Sequence, residues 1–400
     1  MVKNPNKALK HVFIIILLFG IISLLGDIIY EGARSVNGPY LKLLGANAAI
    51  IGFIVGIGEL LGYSIRLLVG YVSDKTKTYW LFTILGYSLL VSIPLLALAG
   101  NWQLAALLIV LERIGKGIRS PARDTLVSQV TKKIGTGIGF GITEFLDQIG
   151  ALIGPLIFVV LFAATQEKTI IDYQRAYSIF WIPFIALMVV LFIAFLKFES
   201  YKRVKVGEER VSENPKVFWL YSVFTFFTAL GFINFAIVGY HLKTNKIVPD
   251  MQIPLLYAFA MVVDAIAGLI IGRMYDRMKV KHKYAELSLL LIVPMFSIAT
   301  LWIIFSPTLG LVYLAMFFWG IVLGAHETIM KAAIADITSI NKRGRSYGVF
   351  NAIYGLALFI GSFVAGYLYE VSISWMVLVL TSAEVVSIIM FFLLKREVIR

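Results

Sequence analysis

Cysteine is absent from the 400 residues, which excludes disulfides and thiolate metal sites. Histidine occurs four times, at positions 11, 241, 282 and 326, too scattered for a His-x-x-x-His or His-Glu-x-x-His metal pair. Neither a Gly-x-Ser-x-Gly elbow nor a phosphate-cradling P-loop is present. These absences argue against a hydrolase, a metalloenzyme or an ATPase, so a non-enzyme with no cofactor and no metal is expected. Charge is scarce as well. Only 15% of residues are charged while 60% are apolar, and the mean hydropathy is +0.88. A soluble domain carries roughly 25% charged residues. A chain this apolar needs lipid as the solvent for most of its surface.

What is present is a series of apolar runs, each long enough to cross about 30 Å of hydrocarbon at about 1.5 Å per residue. They fall at approximately 11–35, 45–72, 79–99, 103–127, 136–163, 174–196, 216–242, 252–273, 285–304, 308–332, 345–368 and 372–394. The expectation is an all-α membrane protein with twelve transmembrane helices. The first run follows a basic N-terminus but has no small-residue cleavage pattern after it, so a retained first helix is expected.

The net charge of +13 would suggest nucleic acid in a soluble chain. Here it follows the loops. Lys75 and Lys77, Lys132 and Lys133, Lys202 and Arg203, Lys279 and Lys281, and Lys342 and Arg343 crowd every second connection and both ends. The alternate connections hold only Lys42, Lys168, Arg175, Lys243 and Lys246. Positive loops stay on the cytoplasmic side, which places both termini there, in an inner (cytoplasmic) membrane, with no call for a nucleic-acid partner. Trp80, Trp102, Trp219, Trp302 and Trp375 fall near the ends of runs, as interfacial anchors do.

The connection 197–215 is long, mixed in charge and close to the midpoint, and the two sides of it repeat each other. Gly70-Tyr-Val-Ser-Asp74-Lys75-Thr-Lys77 is matched by Gly272-Arg-Met-Tyr-Asp276-Arg277-Met-Lys279. Further on, Gly117, Thr131, Gly137, Gly141 and Gly154 each recur 207 positions later, at Gly324, Thr338, Gly344, Gly348 and Gly361. Two homologous six-helix bundles are therefore expected, residues 1–196 and 216–400, joined by a cytoplasmic linker at 197–215.

This arrangement, with Gly-x-x-x-Asp-basic after the second and eighth runs, resembles the major facilitator superfamily, and the resemblance covers essentially the whole chain. Arg113-Ile-Gly-Lys-Gly117 is similar to that family's fourth-helix motif. Gly150-Ala-Leu-Ile-Gly154-Pro155 is similar to the signature of its proton-driven antiporters, although Leu156-Ile157-Phe158 departs from the glycine pair that often follows. The string from Glu112 to Asp124 also resembles an uncharacterised prokaryotic branch. The resemblance implies a monomeric secondary transporter that moves a small solute by alternating access. Proton-coupled export of a drug or metabolite is suggested; a symporter or uniporter for a metabolite or organic anion is the alternative. Protons, a small-molecule substrate and the lipid bilayer are the implied partners.

Charged side chains inside a bilayer cost about 3 kcal/mol each, so those in the runs are the candidate working residues. Asp27 and Glu31 share one face of the first run, and Arg34 lies a turn beyond. A carboxyl there can carry a proton; an internal Glu31–Arg34 pair is the alternative. In the fourth run Glu112, Lys116, Arg119 and Arg123 fall within an arc of about 60°. Glu112 is expected to pair with Lys116, Arg113 to meet the carboxylates of the first run, and Arg119 and Arg123 to meet Asp74 as a latch with Lys75. Glu144 and Asp147 share a face of the fifth run, and Glu59 and Arg66 share a stripe of the second. In the second half Asn234 and Tyr240 are expected to shape the pocket. Glu327 would pair with Lys331, and His326 occupies the repeat position of Arg119. Gly70, Asp74, Lys75, Gly272, Asp276 and Arg277 complete the expected gating set. Pro155 should kink the fifth run, and the matched glycines offer smooth surfaces for rocking.

Overall fold

The computed structural model describes residues 5–131, 136–163, 167–198, 215–281, 285–337 and 343–399. Most of the expected linker, and Thr338 of the repeat, lie outside them. Among the described residues the secondary structure is helical throughout, with no strand.

Twelve spanning helices form, and each expected run falls on one of them. They are α1 (Pro5–Arg34), α2 (Ala48–Thr76), α3 (Tyr79–Leu98), α4 (Trp102–Thr131), α5 (Thr136–Phe162), α6 (Ile170–Lys197), α7 (Pro215–Thr244), α8 (Gln252–Lys281), α9 (residues 285–303), α10 (Leu309–Ile337), α11 (Arg343–Val371) and α12 (Ile373–Ile399). A short helix, Asn37–Leu43, connects α1 to α2. Eleven of the twelve are long and apolar enough to cross a membrane. The exception is α4, because Glu112, Arg113, Lys116, Arg119, Arg123 and Asp124 crowd it.

Breaks in the helices have local causes. Around Pro94, α3 tightens into 3₁₀ turns at Leu89–Val91 and Leu96–Leu98, since proline supplies no N–H and crowds the preceding turn. α7 stops at Gly231 and restarts at Phe235; the Asn234 side chain accepts from the Ala236 N–H and caps the second segment. Thr169 and Asp172 form a reciprocal capping box at the start of α6.

α1 packs along α5, α2 along α4, α7 along α12 and α8 along α10, while α2–α11 and α5–α8 are the main contacts between the first six helices and the last six. At the α2–α11 seam backbone touches backbone. A side chain at Gly52 would collide with the Ser362 carbonyl, and one at Gly366 with the Ala48 carbonyl. The matched glycines mostly do something else. Gly154 lies against Ile28 and Gly32 of α1, and Gly361 against Leu230 of α7, so both hold helices together within their own half. Gly141 faces open space, and among the described residues Gly348, against Leu67, is the matched glycine that meets the other half. Close contact between the halves rests on other glycines, Gly52 and Gly366 of the α2–α11 seam among them.

Candidate functional site

The two sets of helices close on each other at the end of the bundle opposite the termini. Asn37–Leu43 packs against the second segment of α7, with Gly38 directly under the Ala236 carbonyl. The Glu370 carboxylate accepts from the Ala48 N–H at 2.7 Å. Around Asp250, which is 2% exposed, a latch is assembled from both sets. Its carboxylate accepts from the Lys168 N–H at 2.5 Å, pairs with the Lys243 ammonium, and faces the Tyr173 hydroxyl at 3.5 Å. Lys243 also reaches the Lys168 carbonyl, and Lys42 reaches the Lys243 carbonyl, each at 3.4 Å. Burial, with the facing Lys243 charge second, lowers the Lys42 pKa. Lys246 and Glu167 form an exposed pair at 2.7 Å, whose hydrogen bond holds the carboxylate pKa down and the ammonium pKa up. Four of the five basic residues that stood on the sparsely charged side of the sequence thus meet at one place.

From mid-bundle toward the termini runs a cavity of about 280 Å³, lined by α1, α2, α4, α5, α7, α8, α10 and α11 with Tyr87 of α3. Its mouth carries Arg66, Asp124, Glu144 and Glu327. Its inner end is built around Tyr30, a residue that gave no signal in the sequence. The Tyr30 hydroxyl accepts from Arg113 at 2.5 Å and from Arg34 at 2.9 Å, and the Lys116 ammonium sits 3.8 Å above its ring. Carboxylates answer the two guanidiniums. Glu59 lies 3.3 Å from Arg113 and 3.8 Å from Arg34, and Glu31 lies 3.6 Å from Arg34. The Tyr257 hydroxyl of α8 donates to Glu31 at 2.5 Å, joining the second set of helices to the network.

Several expected pairings are corrected by this geometry. Arg113 meets Glu59 and Tyr30 and not Asp27, because Gly58 and Gly62 let α4 approach α2 so closely that the guanidinium lies beside it. Glu112 pairs with Arg113 at 3.5 Å and Arg119 at 3.6 Å, leaving Lys116 to turn toward the Tyr30 ring. Arg119 and Arg123 do not latch onto Asp74. Arg123 binds Asp124 at 2.9 Å and the Ser23 hydroxyl at 2.9 Å and approaches Asp147 at 3.9 Å, while Asp74 accepts from Tyr79. Asp74 and Lys75, like Asp276 and Arg277, are exposed at the termini end. Gly70 lies beside Pro121 and Gly272 beside Thr328. Glu59 is central to the network, and Arg66 lies over the Tyr63 ring instead of joining it. Asn234 lines the cavity, whereas Tyr240 is buried in the closed end against Tyr369. The Lys331 side chain lies outside the described residues.

Asp27 stands apart. It lines the cavity, yet it makes no ion pair or hydrogen bond among the described residues, with Lys116, Arg123, Glu31 and Asp147 around it at longer range. Behind it, Gly150 lets α5 press on α1: a side chain there would meet Asp27 and the Leu24 carbonyl. The antiporter-like Gly150–Pro155 stretch is therefore the surface on which the Asp27 helix rests. No group of three or more metal-ligating side chains occurs among the described residues.

A bundle of twelve spanning helices that closes at one end over a charged central cavity is the architecture of a multi-pass membrane transporter. The family model of the major facilitator superfamily matches residues 12–296 and again 222–399, and the chain belongs to that superfamily. Uncharacterised proteins of Mycobacterium tuberculosis (strain ATCC 25618 / H37Rv) and Mycobacterium bovis are each 35% identical over 387 residues, spanning 94% of this chain and 92% of theirs. An uncharacterised MFS-type transporter of Methanocaldococcus jannaschii is 27% identical over 384 residues, 92% of this chain and 91% of its own. Among solved structures, a mutant of the nucleoside transporter NupG superposes with a TM-score of 0.74 at 14% identity, covering 95% of this chain and 99% of that one. A D-xylose–proton symporter superposes with a TM-score of 0.66 at 14% identity, covering 96% and 97%.

Proposed function

We propose that this transporter is a secondary active carrier coupled to protons, that it exports a small polar solute by alternating access, and that Asp27 carries the coupling proton. The observation that carries the reading is the Asp27 carboxyl. Among the described residues it faces the cavity without an ionic partner, while Glu31, Glu59 and Asp147 each have a cation within 4 Å. A carboxyl so placed takes up and releases a proton at little cost to the surrounding pairs. Lys116, also without a carboxylate within 4 Å among the described residues, supplies the charge against which the proton or a solute competes. The polar lining favours a hydrophilic solute over a lipophilic one.

Residues 1–196 and 216–400 act as the two rocking units, and the α2–α11 seam is their pivot. Because the basic loops cluster at the termini end, that end is cytoplasmic and the cavity opens inward. Export is favoured by the contact between the antiporter-like α5 surface and the helix of Asp27.

The test is solute-driven proton movement in everted membrane vesicles, with solutes first chosen by thermal shift of the purified protein. The wild type should dissipate a pH gradient when the solute is added, and Asp27→Asn should bind the solute but move no protons. Full proton-coupled transport by Asp27→Asn would remove Asp27 from the mechanism. The exposed Glu167–Lys246 pair provides a control. Lys246→Ala should leave both Tm and transport unchanged, as solvent-exposed ion pairs contribute little.

A further inference from the structure

The α7–α12–α9 contact lies away from the cavity, and nothing in the transport reading uses it. It nevertheless contains an acid. Glu384 of α12 is 0% exposed, and neither of its carboxylate oxygens has a hydrogen-bond partner. It presses against Gly231, the last residue of the first α7 segment, where a side chain would lie 2.6 Å from its Oε1. The helix stops here, so its final carbonyls have no intrahelical donors and present the negative end of the helix dipole.

The surroundings are hydroxyls. α7 and α12 run antiparallel in a register that sets Gly231 against Glu384 and stacks Phe224 near Phe391, at 6.4 Å between ring centroids. That register places Thr228 opposite Ser387. Both are fully buried, and both spend their hydrogens on their own helices: Thr228 donates to the Thr225 carbonyl at 3.0 Å, and Ser387 to the Glu384 carbonyl at 2.8 Å. Ser297 of α9, 2% exposed, faces the carboxyl with Ser387. Among the described residues no other titratable or charged group faces it. Thr228 and Ser387, whose hydrogens are committed to backbone, offer only oxygen lone pairs to a guest.

A carboxylate, hydroxyl oxygens and the carbonyl end of an interrupted helix are the donor set of a small, hard monovalent cation. We propose that Glu384, Ser297 and Ser387, with the end of the first α7 segment, form a sodium site. Its compactness selects sodium over potassium, since the room beside the carboxyl exists only because residue 231 has no side chain. Sodium bound there would fix the position of the α7 break, and so the angle at which the outer segment of α7 meets Asn37–Leu43. This site is separate from Asp27 and does not depend on the proton-coupling reading.

The experiment is thermal unfolding of the purified full-length protein in detergent near neutral pH, with sodium chloride replacing potassium or N-methylglucamine chloride at constant ionic strength. Tm should rise saturably with sodium and not with potassium. Ser297→Ala should weaken the half-saturating sodium concentration by about tenfold, the loss expected from one ligand to a charged group. Glu384→Gln should abolish the sodium response, and Asp27→Asn should keep it. A wild-type Tm indifferent to sodium overturns the site, as does a sodium response that survives in Glu384→Gln. A response to pH alone also overturns it, since Glu384 would then hold only a proton. Should Glu384→Gln fail to fold, the wild-type sodium–potassium comparison and the Ser297→Ala shift still decide the matter.

Discussion

Arg113→Ala is expected to destabilise the protein by about 3–5 kcal/mol and to abolish transport, the largest loss among the cavity charges. Arg113 is 6% exposed and serves three acceptors at once: Glu59 at 3.3 Å, Glu112 at 3.5 Å and the Tyr30 hydroxyl at 2.5 Å. Arg119 still neutralises Glu112 in its absence, and Arg34 still reaches Tyr30. Glu59 keeps only Arg34, at 3.8 Å, which must also serve Glu31. The energetic loss is therefore that of an under-compensated buried carboxylate, and removing that carboxylate should recover much of it. Arg113→Ala with Glu59→Gln should be more stable than Arg113→Ala alone, giving a coupling energy of roughly 1–3 kcal/mol in a double-mutant cycle read by thermal unfolding. Additive effects would show that Glu59 does not depend on Arg113. Transport should not return in the double variant, because the network that links α1, α2, α4 and α8 through Tyr257 would still lack its central cation.

The number of spans and the repeat were legible in the sequence, since both rest on one-dimensional signals: apolar run length, and Gly and Asp at a fixed offset. The family motifs were legible for the same reason. Pairings were not. Spacing along α4 put Glu112 opposite Lys116, but the glycines of α2 and α4 bring those helices so close that Arg113 and Arg119 reach the carboxylates first. A side chain's partner is set by the neighbouring helix as much as by its own, and a sequence without contacts does not say which helix that is. Tyr30 and Tyr257 were missed because tyrosine in an apolar run carries no pattern of its own. Glu384 was visible as an isolated charge, but its meaning depends on Gly231, more than 150 positions away. The latch at Asp250 did leave a trace. Lys42, Lys168, Lys243 and Lys246 were four of the five exceptions to an otherwise one-sided distribution of basic residues, and at these four a second requirement, here closure, has overridden the charge rule.

That closure yields the second large effect. Asp250→Asn should open the end of the bundle opposite the termini. Asp250 is the only acid among the described residues that Lys243 pairs with there, and the Lys168 backbone and the Tyr173 hydroxyl also converge on its carboxylate. Amide replacement removes the charge, turns one acceptor into a donor facing the Lys168 N–H, and leaves Lys42, Lys168 and Lys243 close together with less negative charge beside them. Like charges repel, and they sit on opposite sides of the closing surface, Lys42 and Lys168 on one and Lys243 on the other. The closed state loses its ionic contacts while the open state, in which the lysines are hydrated, loses little, so the equilibrium moves toward opening. The absence of cysteine makes this directly measurable. In a Tyr240→Cys background, where position 240 is buried under the closed end, a membrane-impermeant maleimide should label slowly. Adding Asp250→Asn should raise the labelling rate about tenfold or more, corresponding to a shift of roughly 1.4 kcal/mol in the opening equilibrium. High salt should narrow that gap by screening the ionic contacts of the parent protein. Equal labelling rates with and without the substitution would mean that the Asn37–Leu43 packing and the α2–α11 backbone contact hold the end closed unaided, and the latch would then be a consequence of closure and not its cause.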